Sequence, residues 1–188
     1  MQEHYDSLIA AITQPIGLES GGFNNPPETR LLMCCLVKLI DAKNVLELGY
    51  DAGYTTEALA CTGVSVIGID NLSEYQGVKD GAAERLSKYP NATLLTRDAL
   101  EYLREQEDSV FDFIFVDDSH DLEHVQLETV ELKRVVRPGG IVVFHDPNIN
   151  GISGMVAQEL SDWQKMLLPA ASPFNGVDYG IYILRKPR

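Results

Sequence analysis

The residues best suited to chemistry stand where apolar runs end. Val45-Leu46-Glu47-Leu48 stops at Gly49-Tyr50-Asp51-Ala52-Gly53, and Tyr54-Thr55-Thr56 then opens a helix. A strand that turns this way aims backbone N–H groups and a helix N-terminus at one spot, which suits a polar or anionic ligand. The next apolar run, Val64–Ile69, ends at Asp70 with Asn71 behind it. An acid about twenty residues after the first glycine, at the tip of the neighbouring strand, is placed to accept the ribose hydroxyls of a nucleoside. The glycines do not spell G-x-G-x-x-G, so close approach of a pyrophosphate is not favoured. A later run ends in Asp117-Asp118-Ser119-His120, and another in His145-Asp146. Carboxylates and imidazoles at strand ends can take up protons or hold a cation. His120-Asp-Leu-Glu-His124 also spells H-x-x-E-H, the inverted zinc-protease pattern. That reading is disfavoured, because the motif needs a further carboxylate on a helical scaffold and here it follows a buried strand.

The elements that must position these groups alternate. Strands are expected at 44–48, 65–69, 92–95, 110–116 and 141–144, with helices at 28–40, 54–61, from 77 to about 90, 98–106, 122–136 and 154–160. Arg137-Pro-Gly-Gly140 reads as a turn, and residues 162–168 and 177–184 as a hairpin with a long loop. Alternation of this kind gives a doubly wound, mostly parallel α/β sheet, with ligands bound beyond the carboxyl ends of its strands. Ahead of it, residues 3–14 read as a short amphipathic helix, and residues 15–27, rich in Gly and Pro, as a mobile loop over a site. The expected organisation is one domain over 1–188, with residues 1–41 as N-terminal helices and loop and 42–188 as the cofactor-binding core.

Three segments carry a family resemblance. Glu47-Leu-Gly-x-x-x-Gly-Tyr-Thr resembles the first motif of class I S-adenosylmethionine-dependent methyltransferases, closest to the catechol O-methyltransferase-like small-molecule O-methyltransferases. Phe111–His120 with His124 resembles the fourth motif of that group, and Arg137–Asp146 its fifth-strand motif. The resemblance runs from about Pro26 to the C-terminus. It implies the Rossmann-like seven-stranded methyltransferase sheet with an antiparallel last strand, and N-terminal helices that cap the cofactor site.

The resemblance also implies a site. S-adenosylmethionine would be held by Glu47, Gly49, Tyr50, Gly53, Thr55, Asp70, Asn71, Asp98 and Asp117. A divalent cation, Mg²⁺ or Mn²⁺, would be held by Asp117, His145 and Asp146. His145 stands where the group usually has Asp, which puts metal dependence in question and shifts preference away from Mg²⁺. His120 occupies the position of the group's catalytic lysine, so His120 and Asp117 are the expected catalytic residues, with Asp118 next in line as base. Asp98 reads equally well as a helix N-cap. Trp163, Phe174 and Tyr179 could line a substrate wall, though core packing is the commoner role.

Composition narrows the alternatives. The 188 residues carry a net charge of −13, with 45% apolar and 23% charged residues. Such acidity argues against a nucleic-acid backbone or an anionic membrane as main partner, which disfavours methylation of tRNA. Three cysteines without regular spacing, and no visible signal peptide or spanning run, point to reduced thiols in a cytoplasmic protein. The expected partner is a small hydroxylated acceptor, chosen by residues 15–27 and 147–154, and a homodimer is common among resembling proteins. The rival is a nucleoside-binding module without transfer activity that acts through a partner. Unpaired strand-end carboxylates argue against it, because they are costly without a ligand or metal.

Overall fold

The computed structural model describes residues 25–71, 76–169 and 180–188. The amphipathic segment 3–14, most of the 15–27 loop, Phe174 and Tyr179 lie outside these. Seven strands, β1 (Asn44–Leu48), β2 (Ser65–Asp70), β3 (Ala92–Thr96), β4 (Phe111–Val116), β5 (Val136–His145), β6 (Gln164–Leu168) and β7 (Ile181–Arg185), form one sheet in the order β3-β2-β1-β4-β5-β7-β6. Helices α1 (Pro27–Leu39), α2 (Tyr54–Cys61), α3 (Gln76–Leu86), α4 (Ala99–Glu105), α5 (Leu122–Val135) and α6 (Ile152–Glu159) alternate with them. The last strand runs antiparallel to β5 and β6, with Leu168 opposite Ile181 and Gln164 opposite Arg185. Alternation implies the mostly parallel sheet, and the seven strands with an antiparallel last one are what the resemblance implies. The chain divides into two compact units, residues 1–97 and 98–188.

In the first unit, α1 starts on Pro27, whose fixed φ and missing N–H suit the first helical position. Strands β1, β2 and β3 run parallel, with Leu48 opposite Ile69 and Asp70 opposite Thr96. Leu46, Leu48 and Ile69 are fully buried. Helix α2 is buried on nearly every side from Thr55 to Cys61, so it lies inside the unit rather than along its surface.

The second unit is built on β4, all six residues of which are buried. Apart from Asp112 the strand is a continuous apolar run, which is what a strand covered on both faces requires. It pairs in parallel with β5, Phe113 opposite Ile141 and Val116 opposite Phe144. Trp163 is core here. The expected turn at 137–140 lies inside β5. Register jumps between Phe111, opposite Val136, and Phe113, opposite Ile141, so the extra residues form a bulge. At Gly140 a Cβ would come within 2.9 Å of the carbonyl oxygens of Arg137 and Asp112, so only glycine passes there. Turns and bulges draw on the same residue types, which is why Pro-Gly-Gly could not separate them.

Candidate active site

The first unit holds the glycine turn. Gly49 (φ +82°), Asp51 (φ +42°) and Gly53 (φ +76°) all adopt left-handed backbone. The Gly49 N–H donates to the Ile69 carbonyl at 2.8 Å, and the Gly53 N–H to the Tyr50 carbonyl at 2.6 Å. Asp70, half-buried at the tip of β2, accepts the Asp51 N–H at 2.9 Å. The strand-end acid and the turn are therefore one hydrogen-bonded unit.

The other expected cofactor residues of this unit divide. Asn71 is exposed beside Asp70. Glu47 is buried and accepts the Thr56 hydroxyl, which ties the end of β1 to the first turn of α2. Thr55 is buried and accepts the Asn25 amide at 3.3 Å. Tyr50 is buried against Ala82 and Leu94, and burial holds its phenol above the usual range. Gly53 owes its identity to φ and to α3, since an added Cβ would meet Leu86 at 3.2 Å and Ala82 at 3.3 Å.

The second unit holds the acid–base groups. His145 ends β5, held in the ladder opposite Ile181. Its Nδ1 stands 3.0 Å from Asp117 Oδ1 and 3.2 Å from Asp146 Oδ1. Neither contact is aligned as a good hydrogen bond, and the Asp117, His145 and Asp146 ligand atoms do not all lie within 4.8 Å of one another. Burial disfavours the charged imidazole, but the carboxylates of Asp117 and Asp146 outweigh it and carry the pKa up to about 10. Without a metal, His145 is an imidazolium at neutral pH. Asp146 takes a left-handed backbone (φ +51°), the strained geometry that turns its side chain back toward His145. Its Oδ2 is 3.9 Å from Nε2 of His120, which is partly exposed. The Asn150 amide donates to the His120 carbonyl at 2.7 Å and holds that loop from behind.

Asp98 is the N-cap of α4, accepting the Glu101 N–H at 2.8 Å. The H-x-x-E-H pattern does not place its histidines on one helix face: His120 precedes the N-cap Asp121, and only His124 is helical. His124 pairs with Glu128 one turn on, Nε2 to Oε1 at 3.1 Å. Sequence reasoning missed Glu128. The signal was present, since Val125, Glu128, Thr129 and Leu132 share the buried face of α5, and a carboxylate on such a face needs a reason.

Residues 46–147 match a methyltransferase-domain family. A protein of Mycolicibacterium vanbaalenii, provisionally assigned as an O-methyltransferase, is 30% identical over 155 residues, covering 79% of this chain and 66% of that protein. A relative in Mycolicibacterium paratuberculosis with the same provisional assignment is 30% identical over 155 residues, 79% of this chain and 68% of its own length. The chain thus spans about two thirds of the length of these relatives. Among solved structures, an O-methyltransferase from Bacillus cereus in complex with SAH superposes with a TM-score of 0.69 at 19% identity, covering 98% of this chain and 90% of that one. The N-methyltransferase NodS from Bradyrhizobium japonicum, also with S-adenosyl-L-homocysteine, gives 0.69 at 18%, covering 98% and 99%. Fold alone therefore does not separate oxygen from nitrogen acceptors. The chain belongs to the class I S-adenosylmethionine-dependent methyltransferases, and its sequence relatives lie among the O-methyltransferases.

Proposed function

We propose that the protein transfers the methyl group of S-adenosylmethionine to a hydroxyl of a small molecule, with His120 as the base. The observation that carries this is the strand-end chemistry of the second unit. His120 is partly exposed, with Asp146 behind it and Asn150 fixing its carbonyl. An imidazole accepts a hydroxyl proton near neutral pH without a large shift. The carboxylate of Asp146 lies 3.9 Å from the His120 Nε2. The net charge of −13 supports a small acceptor over tRNA.

The glycine turn and Asp70 fit the adenosyl cofactor. Turn and acid are joined by one hydrogen bond, and Asp70 keeps partial exposure at the strand tip. When bound, the cofactor supplies an electrophilic methyl group, and the protein contributes positioning and proton removal. Asp117, His145 and Asp146 would hold a divalent cation, which would lower the acceptor's pKa. The cation would have to displace the proton that His145 keeps up to about pH 10.

Calorimetry with S-adenosylmethionine and with S-adenosylhomocysteine, followed by methyl-transfer assays over a panel of phenols and sugars, tests this. Asp70→Ala should weaken cofactor binding by about 1.5–3 kcal/mol for each charge-assisted bond lost. Unchanged affinity in folded Asp70→Ala protein removes the nucleoside role of Asp70. Tight cofactor binding with no transfer to any hydroxyl, phenolic or otherwise, favours the non-catalytic module instead.

A further inference from the structure

Beside the His145 group, and built from different side chains, lies a second cluster. Asp118 follows the end of β4, and His124 and Glu128 stand one helical turn apart on α5. His124 Nε2 is 3.1 Å from Glu128 Oε1 and 3.9 Å from Asp118 Oδ2. One ligand atom from each residue lies within 4.8 Å of the other two, and among the described residues this is the group that closes so tightly. Neither the family motifs nor the proposed transfer reaction uses Glu128.

Burial turns this cluster from a collection of charges into a site. The Glu128 side chain is 0% exposed. Its Oε2 has no hydrogen-bond partner, and neither does the buried Oδ1 of Asp118. A buried carboxylate oxygen without a donor is costly, and a second carboxylate facing it adds repulsion. Some positive species must sit between these oxygens, and the choice is a proton or a metal ion.

Size and donor type select the ion. Ligands at about 2.0–2.2 Å from one metal lie roughly 3–4 Å from one another, the spacing found here. Two carboxylates with one imidazole suit Mn²⁺, Fe²⁺ or Zn²⁺ better than Mg²⁺ or Ca²⁺, which prefer oxygen alone. Three protein ligands leave at least one position for water. The side chains of His124 (28% exposed) and Asp118 (16%) give an ion a path from solvent.

We propose that Asp118, His124 and Glu128 form a second divalent-metal site of transition-metal type, distinct from the Asp117, His145 and Asp146 group. An ion there clamps the end of β4 to the second turn of α5, across the loop that carries His120. The site stands whether or not the proposed methyl transfer is correct.

The test is metal binding rather than activity. Full-length protein stripped with chelator is titrated with Co²⁺ and with Zn²⁺ by calorimetry, and the Co²⁺ complex is read by its visible absorption. The same titrations are run on Asp146→Asn, on Glu128→Gln and His124→Gln, and on both of the last two in the Asp146→Asn background, with circular dichroism as the folding check. Asp146→Asn should keep one tightly bound ion. Adding Glu128→Gln or His124→Gln should weaken that ion on the order of 100-fold, since losing a direct ligand costs at least as much as losing its supporting partner. Two replacements guard against one failing to fold. The proposal is overturned if folded Asp146→Asn binds neither ion, which leaves a shared proton between the carboxylates. It is equally overturned if folded Glu128→Gln and His124→Gln bind as the parent does.

Discussion

His145 and His124 belong to the same unit, each lies beside carboxylates, and they solve the problem of charge differently. His145 sits between Asp117 and Asp146, both partly exposed, and keeps its proton to about pH 10. His124 meets one fully buried glutamate, and that hydrogen bond raises its pKa. In the first group the imidazole is the cation that balances the acids. In the second, one of the two acids is fully buried, and an oxygen of each acid lacks a donor. The same residue types give an ion pair when both acids keep some exposure and a demand for a further cation when one of them is fully buried.

The sharpest way to break this comparison is kinetic. His120, which faces the first group, should be the residue whose loss costs most: His120→Ala is expected to lower kcat by roughly 10²–10⁴-fold with a smaller change in KM. Steady-state assays with a responsive acceptor check it. A normal rate would move the base elsewhere, with Asp118 next.

A second experiment uses pH. In chelator-treated protein, folded His145 holds a proton that the unfolded chain releases near the ordinary imidazole value of 6.5. Its stabilisation is fully present below that pH and is lost as pH rises through about 10. Stability from denaturant melts should therefore fall across this window by up to ~1.4 kcal/mol per pH unit, and His145→Gln should flatten the slope. His124→Gln should change the profile less, because His124 is more exposed.

The smallest effect concerns the scaffold of the second group. Asp121 caps α5 by accepting the His124 N–H at 2.9 Å. Asp121→Ala should cost about 1 kcal/mol in thermal or chemical melts. It should also weaken Co²⁺ binding at the His124 group while leaving the pH profile of His145 unchanged. An equal effect on both groups would mean that they are not separate.

Much of this was legible in the residues, for particular reasons. The runs ending at Leu48, Ile69 and Val116 are mostly apolar, so their limits followed to within a residue. Asp70, Asp117, His145 and Asp146 were visible because polar groups at strand ends break those runs. Other placements depended on contacts that sequence does not display. Tyr50 follows a glycine at a site-like turn, yet its ring packs on Ala82 and Leu94, from later elements. Gly53 packs against Leu86 and Ala82 of α3, a contact that spacing alone does not display. Asp98 had two readings, and the hydrogen bond to Glu101 shows that it caps α4. Glu128 was overlooked because an i, i+4 glutamate after a histidine usually marks a solvated helix face. Only its companions Val125, Thr129 and Leu132 reveal that this face is inward.

The bond from Asn150 to the His120 carbonyl has a consequence for how such an enzyme can change over time. Residues 147–154, which we propose help choose the acceptor, share a direct tether with the residue that we propose removes its proton. Altering that segment to admit a new acceptor would also shift the backbone under His120. Selectivity and proton transfer would then drift together under mutation. A laboratory effort to retarget the protein should hold Asn150 fixed and vary its neighbours, so that new acceptors are screened against an undisturbed base.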